Sequence, residues 1–424
     1  MLTNDTRLRR PSAAAPDTSA ASPSAPPPPD SRAAVRAAWM MTASGWSANQ
    51  FSALLGVYRS DLGMSASATT GLFALYVLGL VPALLVGGPL ADRYGRRPVA
   101  LVALAVNLFS SLLLMAGAHW TAVLFPGRFL TGVGAGALLA AGGAWVKELS
   151  SPPYGAAGGA AKRSGLFVSL GFASGGLVAS VLAQWAPDPL VTAYLPHVLL
   201  ALLAWLGARH APETRPRREV LPLPGRSPDA WRVVRGRFLR RFLAFAPWVF
   251  AAPTIGFATL PGLVDGHLRG WQTVYGGIAT AVVPLAGMLA QRAVGRLAAW
   301  HRIAPGAVGL ALSALGFALA ACAAAAADPV LGLLAGAVLG AGYGLALAFG
   351  LTEVTRVAPP EHLARLTALL WTLAYLGMFA PYLVALLSVA VPVPVLLTAL
   401  AALALVCCAA FTAREGRARG ALGT

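Results

Sequence analysis

Charge is what this chain lacks most. Only 11% of its 424 residues are Asp, Glu, Lys or Arg, against about 25% in an ordinary soluble domain. With 57% hydrophobic residues, a soluble enzyme of one or two domains is excluded, because polar groups are too few to cover its surface. Cysteine is nearly absent as well. Cys322, Cys407 and Cys408 lie in apolar runs and two are adjacent, which rules out a disulfide framework. There is no His/Cys/Asp/Glu cluster at metal-ligand spacing, no nucleophile–base set and no phosphate-binding glycine loop, so neither enzyme activity, metal nor cofactor is expected. No acid falls near the middle of an apolar run. The net charge of +17 would suggest nucleic acid, but the placement of the basic residues speaks against it.

What the chain has in abundance is apolar runs. Twelve occur, at about 36–58, 67–88, 98–118, 121–146, 164–186, 190–208, 242–261, 274–291, 304–327, 329–352, 363–389 and 393–412. Each approaches the ~20 residues that cross a bilayer as a helix. The expected fold class is therefore an all-α polytopic membrane protein with twelve transmembrane helices in two six-helix bundles, 36–208 and 242–412. Residues 1–35 read as a disordered Pro/Ser/Ala-rich tail without a signal-peptide core, and 413–424 as a second tail. Arg59 and Arg269 fall on one side of the membrane and Arg128 lies within a run. Every other Lys and Arg falls on the other side, which the positive-inside rule assigns to the cytoplasm together with both termini. The basic charge is thus topological, and no nucleic-acid partner is expected. In the linker 209–241, Trp231, Val234, Phe238 and Phe242 recur at helical spacing among arginines. That suits either a helix on the anionic inner leaflet or, over the proline-rich 211–228, a solvated basic linker.

Between the second and third runs lies Gly88-Pro89-Leu90-Ala91-Asp92-Arg93-Tyr94-Gly95-Arg96-Arg97. Gly88 admits a close neighbouring helix, Asp92 is placed to pair with Arg96 and to accept from a facing helix N-terminus, and Gly95 permits a tight reversal. This stretch resembles the loop 2–3 signature of the major facilitator superfamily, and the likeness extends over about 36–412. Gly287 to Arg292 looks like a degenerate copy 199 residues later, with Gln291 in place of the acid. Arg128, in Arg128-Phe129-Leu130-Thr131-Gly132-Val133-Gly134, is costly inside an apolar run unless it faces the bundle interior or snorkels to the interface. It resembles the span-four signature that the superfamily associates with proton coupling. The span-five antiporter signature is only partly present, with Gly165, Gly171, Gly175 and Gly176.

Candidate cavity residues are Trp46, Asn49 and Gln50, which fall on one helical stripe, and Trp248, Trp371 and Tyr375 in the second half. Aromatic stripes in membrane helices also serve as packing or interface anchors. The resemblance implies alternating access by two rocking halves in the cell membrane, with proton-coupled export of small amphipathic compounds by a monomer. Proton-coupled uptake of a small polar metabolite, or a non-transporting sensor on the same scaffold, are the alternatives. The partners expected are a small-molecule substrate, protons and an anionic inner leaflet.

Overall fold

The computed structural model describes residues 31–154, 160–215, 232, 235, 236, 238, 239, 242–359 and 362–420. Twelve helical segments order these residues. In the first half they are α1 (Ser31–Ala53), α2 (Ala66–Tyr94), α3 (Arg96–Ala116), α4 (Thr121–Leu149), α5 (Ala160–Trp185) and α6 (Pro189–Ala208). In the second half they are α7 (Trp248–Leu263), α8 (Gln272–Trp300), α9 (Ala304–Ala326), α10 (Pro329–Val357), α11 (Arg365–Leu387) and α12 (Val393–Gly420). A short helix, Leu55–Leu62, continues α1. Two starts show why the runs break where they do. Ser65 accepts from the Ala68 amide to cap α2, and Asp328 accepts from Val330 and Leu331 at 2.8 and 3.2 Å, with Pro329 entering α10. Both are favoured helix-start chemistries.

Ten of these helices are long and apolar enough to cross a membrane by composition. α7 is shorter, and α1 is the polar exception. Its Thr42, Ser44, Ser47, Asn49, Gln50 and Ser52 are all buried. They meet neighbouring helices instead of lipid, so α1 needs no lipid-compatible surface along most of its length. α1 starts at Ser31, inside the stretch read as a tail, and α12 stays helical to Gly420. Residues 1–30 and most of the basic linker lie outside the described residues. Phe238 and Phe242 are described, and they stack at 4.4 Å inside the second-half core with Phe245. They do not face a leaflet, because that core offers them more apolar contact.

The two halves repeat one packing scheme. Cβ atoms at Gly132 and Gly136 of α4 would run into the backbone oxygens of Tyr76 and Leu80 on α2. At Gly340 and Gly344 of α10 they would meet the oxygens of Val283 and Gly287 on α8. Glycine at four-residue spacing therefore lets each pair of backbones touch. The repeat register differs from the one that the short motif copy suggests. α2 ends at Tyr94 and α8 at Trp300, and Arg96–Glu148 recurs as Arg302–Glu353, 206 and 205 residues later. Gly287 to Arg292 therefore lies within α8, well before its end, and is no counterpart of the loop motif.

Candidate functional site

At the face that bears the basic residues, α2 turns into α3 at Gly95, whose φ of +102° is left-handed and suits glycine. A Cβ there would also lie 2.7 Å from Glu213 Oε2. Asp92 pairs with Arg96 at 2.9 Å and with Arg215 at 2.9 Å, while Arg96 Nε donates to Glu148 at 3.2 Å. Thr214 donates to the same Glu148 carboxylate. The acceptor at the α3 N-terminus is Glu213, which takes the Arg96 and Arg97 amides at 2.9 Å each. A carboxylate there satisfies otherwise unpaired amides and meets the positive end of the helix dipole. In this arrangement Asp92 itself meets Arg96 and Arg215 and caps no helix among the described residues. No atom approaches the Gly88 Cβ position within 4 Å here, whereas that of Gly87 abuts Ala137. Arg93 is exposed and lies 5.2 Å over the Tyr94 ring.

Arg128 is fully buried on α4, about 10 Å along the helix from Thr121. Its guanidinium lies 4.1 Å from the Phe51 ring centroid, 4.8 Å from Tyr76 and 5.9 Å from Phe73. None of its three nitrogens has a hydrogen-bond acceptor among the described residues. The cation is held by aromatic faces, which attract it electrostatically, and it does not snorkel. The hydroxyls of Tyr58 and Tyr194 bond to one another and lie within electrostatic reach of it.

Beside this box runs a buried polar chain that the sequence reading missed. Gln50 Nε2 on α1 donates to Ser111 Oγ on α3 at 3.3 Å, and Ser111 meets His197 Nδ1 on α6 at 2.8 Å. His197 Nε2 contacts the Ala43 carbonyl at 3.2 Å. Gln50 therefore faces the interior of the first bundle, away from Asn49. Successive helical residues point about 100° apart, and Ser111 supplies the partner on that side. Asn49 instead donates to Phe172 O at 2.7 Å on α5 and to Thr280 O at 3.2 Å on α8, bridging the halves. Trp46 packs against Gly175 of α5, with its indole N–H buried.

In the second half, Phe250 stacks on Tyr375 at 4.6 Å and lies 6.2 Å from Trp371 and 5.8 Å from Tyr343. Trp371 and Tyr375 thus share an aromatic wall. Trp248 does not join it. Its ring packs 5.7 Å from Phe317 in the bundle core, because it is two residues, or about 200° of helix, from Phe250.

Contacts between the halves gather toward the face opposite the basic one. Gln184 donates to Gly270 O at 2.6 Å, Trp185 meets Trp271 at 5.5 Å, and Phe73 meets Phe257 at 6.1 Å. A cavity of about 350 Å³ remains there, lined among others by Arg59, Asp265 and Gln272. Burial pulls the Arg59 pKa below its usual value, and Asp265 opposes that shift. At the basic face, the Cβ positions of Gly88, Gly165 and Gly295, on α2, α5 and α8, meet nothing within 4 Å. Among the described residues, these side-chain contacts between the halves therefore lie toward one face.

Residues 37–381 match the model of the Major Facilitator Superfamily. Over 85 residues the chain is 41% identical to the multidrug resistance protein MdtL of Klebsiella pneumoniae (strain 342), and 40% identical to MdtL of Salmonella paratyphi B. These matches cover 20% of this chain and 21% of those relatives. Among solved structures it resembles the peptide transporter POT in complex with sulfate, with TM-score 0.72 and 13% identity over 91% of this chain and 94% of that one. The nucleoside transporter NupG gives TM-score 0.69 at 13% identity, over 90% and 98%.

Proposed function

The chain belongs to the Major Facilitator Superfamily, and within it we propose that this multi-pass membrane transporter exports small amphipathic compounds in exchange for protons. In this reading the basic face is cytoplasmic, and the halves, which touch toward the opposite face, are open to the cytoplasm. The observation that carries the reading is Arg128, a cation buried on aromatic faces with no acceptor among the described residues. Such a charge is expensive in a membrane bundle, and it lowers the proton affinity of any ionisable group brought near it. The aromatic wall of Phe250, Trp371 and Tyr375 offers apolar and cation-attracting faces to an amphipathic substrate. The partial likeness to multidrug resistance proteins favours export.

In the cycle, the cytoplasm-open state takes up substrate and the halves then rock. Closing the basic face brings α2 toward the second half, where the open space at Gly88 admits a close helix and Asp92, Arg93, Arg96 and Arg97 gate the opening. The protein acts as a monomer. A host expressing the protein should accumulate less ethidium, a lipophilic fluorescent cation, and a protonophore should erase the difference. Increased accumulation driven by the protein would overturn the export reading.

A further inference from the structure

Resting on the proton-driven reading above, we propose that His197 is a proton-carrying group of this transporter, and that the Gln50–Ser111–His197 chain converts its protonation into a movement of α1. His197 is fully buried within α6, and the atoms around its ring fix one tautomer. The Ala43 carbonyl has no proton to give, so Nε2–H donates to it. Nδ1 then accepts the Ser111 hydroxyl proton, and Ser111 Oγ accepts from Gln50 Nε2. The ring in this state is neutral and both its nitrogens are satisfied.

Adding a proton reverses the chain. Nδ1–H must now donate to Ser111 Oγ, and the Ser111 hydroxyl needs a new acceptor. Gln50 Oε1 is buried and has no partner among the described residues. Rotating the amide by half a turn presents that oxygen to Ser111, so Gln50 changes from donor to acceptor. One residue earlier, Asn49 holds Phe172 on α5 and Thr280 on α8, across the two halves. The same stretch of α1 thus reads the histidine on one side and grips the second half on the other.

The sign suits an exporter. α1 and α3 place only neutral groups against the ring: Ala43, Gln50 and Ser111. Tyr194, three residues before His197, is bonded to Tyr58, and no acid is among the ring's hydrogen-bond partners. Full burial among neutral groups disfavours an imidazolium here, so in this reading the cytoplasm-open state holds the deprotonated ring. An exchanger must have released its proton to the cytoplasm before loading substrate there. Proton uptake, from water, belongs to the opposite opening. Histidine is the side chain whose ordinary range makes this possible near neutral pH.

The test needs no substrate. Full-length protein lacking its three cysteines is spin-labelled at Ala66 and Val389, exposed positions on opposite halves, and reconstituted in nanodiscs. Between pH 8 and pH 5 the ratio of the two conformers should shift by about tenfold. In His197→Gln, which keeps hydrogen bonding without titrating, it should not shift. Ser111→Ala keeps the ring but cuts the chain. Its histidine should still protonate, as read by ¹⁵N chemical shift, while the conformers stay put. A His197→Gln or Ser111→Ala protein that responds like the parent overturns the proposal and leaves the proton-driven reading standing. A parent insensitive to pH overturns the proposal as well. Protonophore-insensitive export, measured separately, would be the failure of the reading beneath it.

Discussion

The two halves share a backbone plan but not a chemistry. Glycine pairs bring α4 onto α2 and α10 onto α8 in the same way, and Arg96–Glu148 has its counterpart in Arg302–Glu353. The interiors diverge. The first bundle buries Arg128, His197, Asn107, Ser110, Ser111 and Thr131, whereas the second is filled by Phe242, Phe245, Phe317, Phe349 and Phe411. In the register that matches Gly132 with Gly340, the position of Arg128 is taken in the second half by Gly336. The lesson is a division of labour: shared packing makes the pseudo-symmetric frame, one half holds Arg128 and His197 in its interior, and the other supplies the aromatic wall.

The shared frame is the place to break this comparison hardest. Gly132→Leu and Gly340→Leu each drive a side chain into a facing backbone oxygen. Both should abolish the monodisperse folded protein seen by fluorescence size-exclusion chromatography, since overpacking of this kind offers no relaxed alternative. Tolerance at one position alone would show that the halves do not pack alike.

Arg128 comes next and should affect one half's role only. Arg128→Ala should fold and bind substrate yet lose uphill transport by about a hundredfold, and Arg128→Lys should retain only a fraction because the planar guanidinium stacks better on rings. Transport assays in vesicles, with binding measured in parallel, separate the two effects. Normal uphill transport by Arg128→Ala would remove the charge asymmetry from the mechanism.

Ion pairs at the basic face should distinguish the halves more gently. Glu353 is buried between Arg302 and Arg356 at 2.7 and 3.2 Å, so Glu353→Gln should cost about 1–2 kcal/mol of stability, discounted for the exposed arginines. Glu148→Gln should cost less, because Arg96 keeps Asp92. Asp92→Asn should instead shift the conformers toward cytoplasm-open by a coupling of about 1–3 kcal/mol. Cysteine accessibility from the cytoplasmic side would report it.

The smallest effect belongs to the aromatic wall. Tyr375→Phe keeps the stack on Phe250 and should change ethidium export less than about twofold, whereas Tyr375→Ala should shift the compound profile several-fold. Equal effects of the two would mean that the hydroxyl, not the ring, is used.

The fold was largely legible because hydrophobic runs of bilayer length admit few architectures, and Arg128 stood out because a charge in such a run needs a reason. α1 was harder. It is polar enough to escape a hydropathy criterion, and only burial against α5, α6 and α3 explains why it belongs in the bundle. Glu213 caps a helix 117 residues away in sequence, a pairing that no local pattern encodes. His197 looks like an isolated residue until α1 and α3 close around it. The motif copy at Gly287 misled because a glycine followed by an arginine is a weak pattern in a helix rich in small residues.

The most direct test of the central claim is proton flow itself. With purified protein in vesicles carrying an imposed pH gradient, adding ethidium on the substrate side should release protons in the opposite direction, in the parent protein and not in Arg128→Ala. Proton movement in the same direction as ethidium, or uphill export that persists after the gradient is collapsed, would contradict proton-driven export.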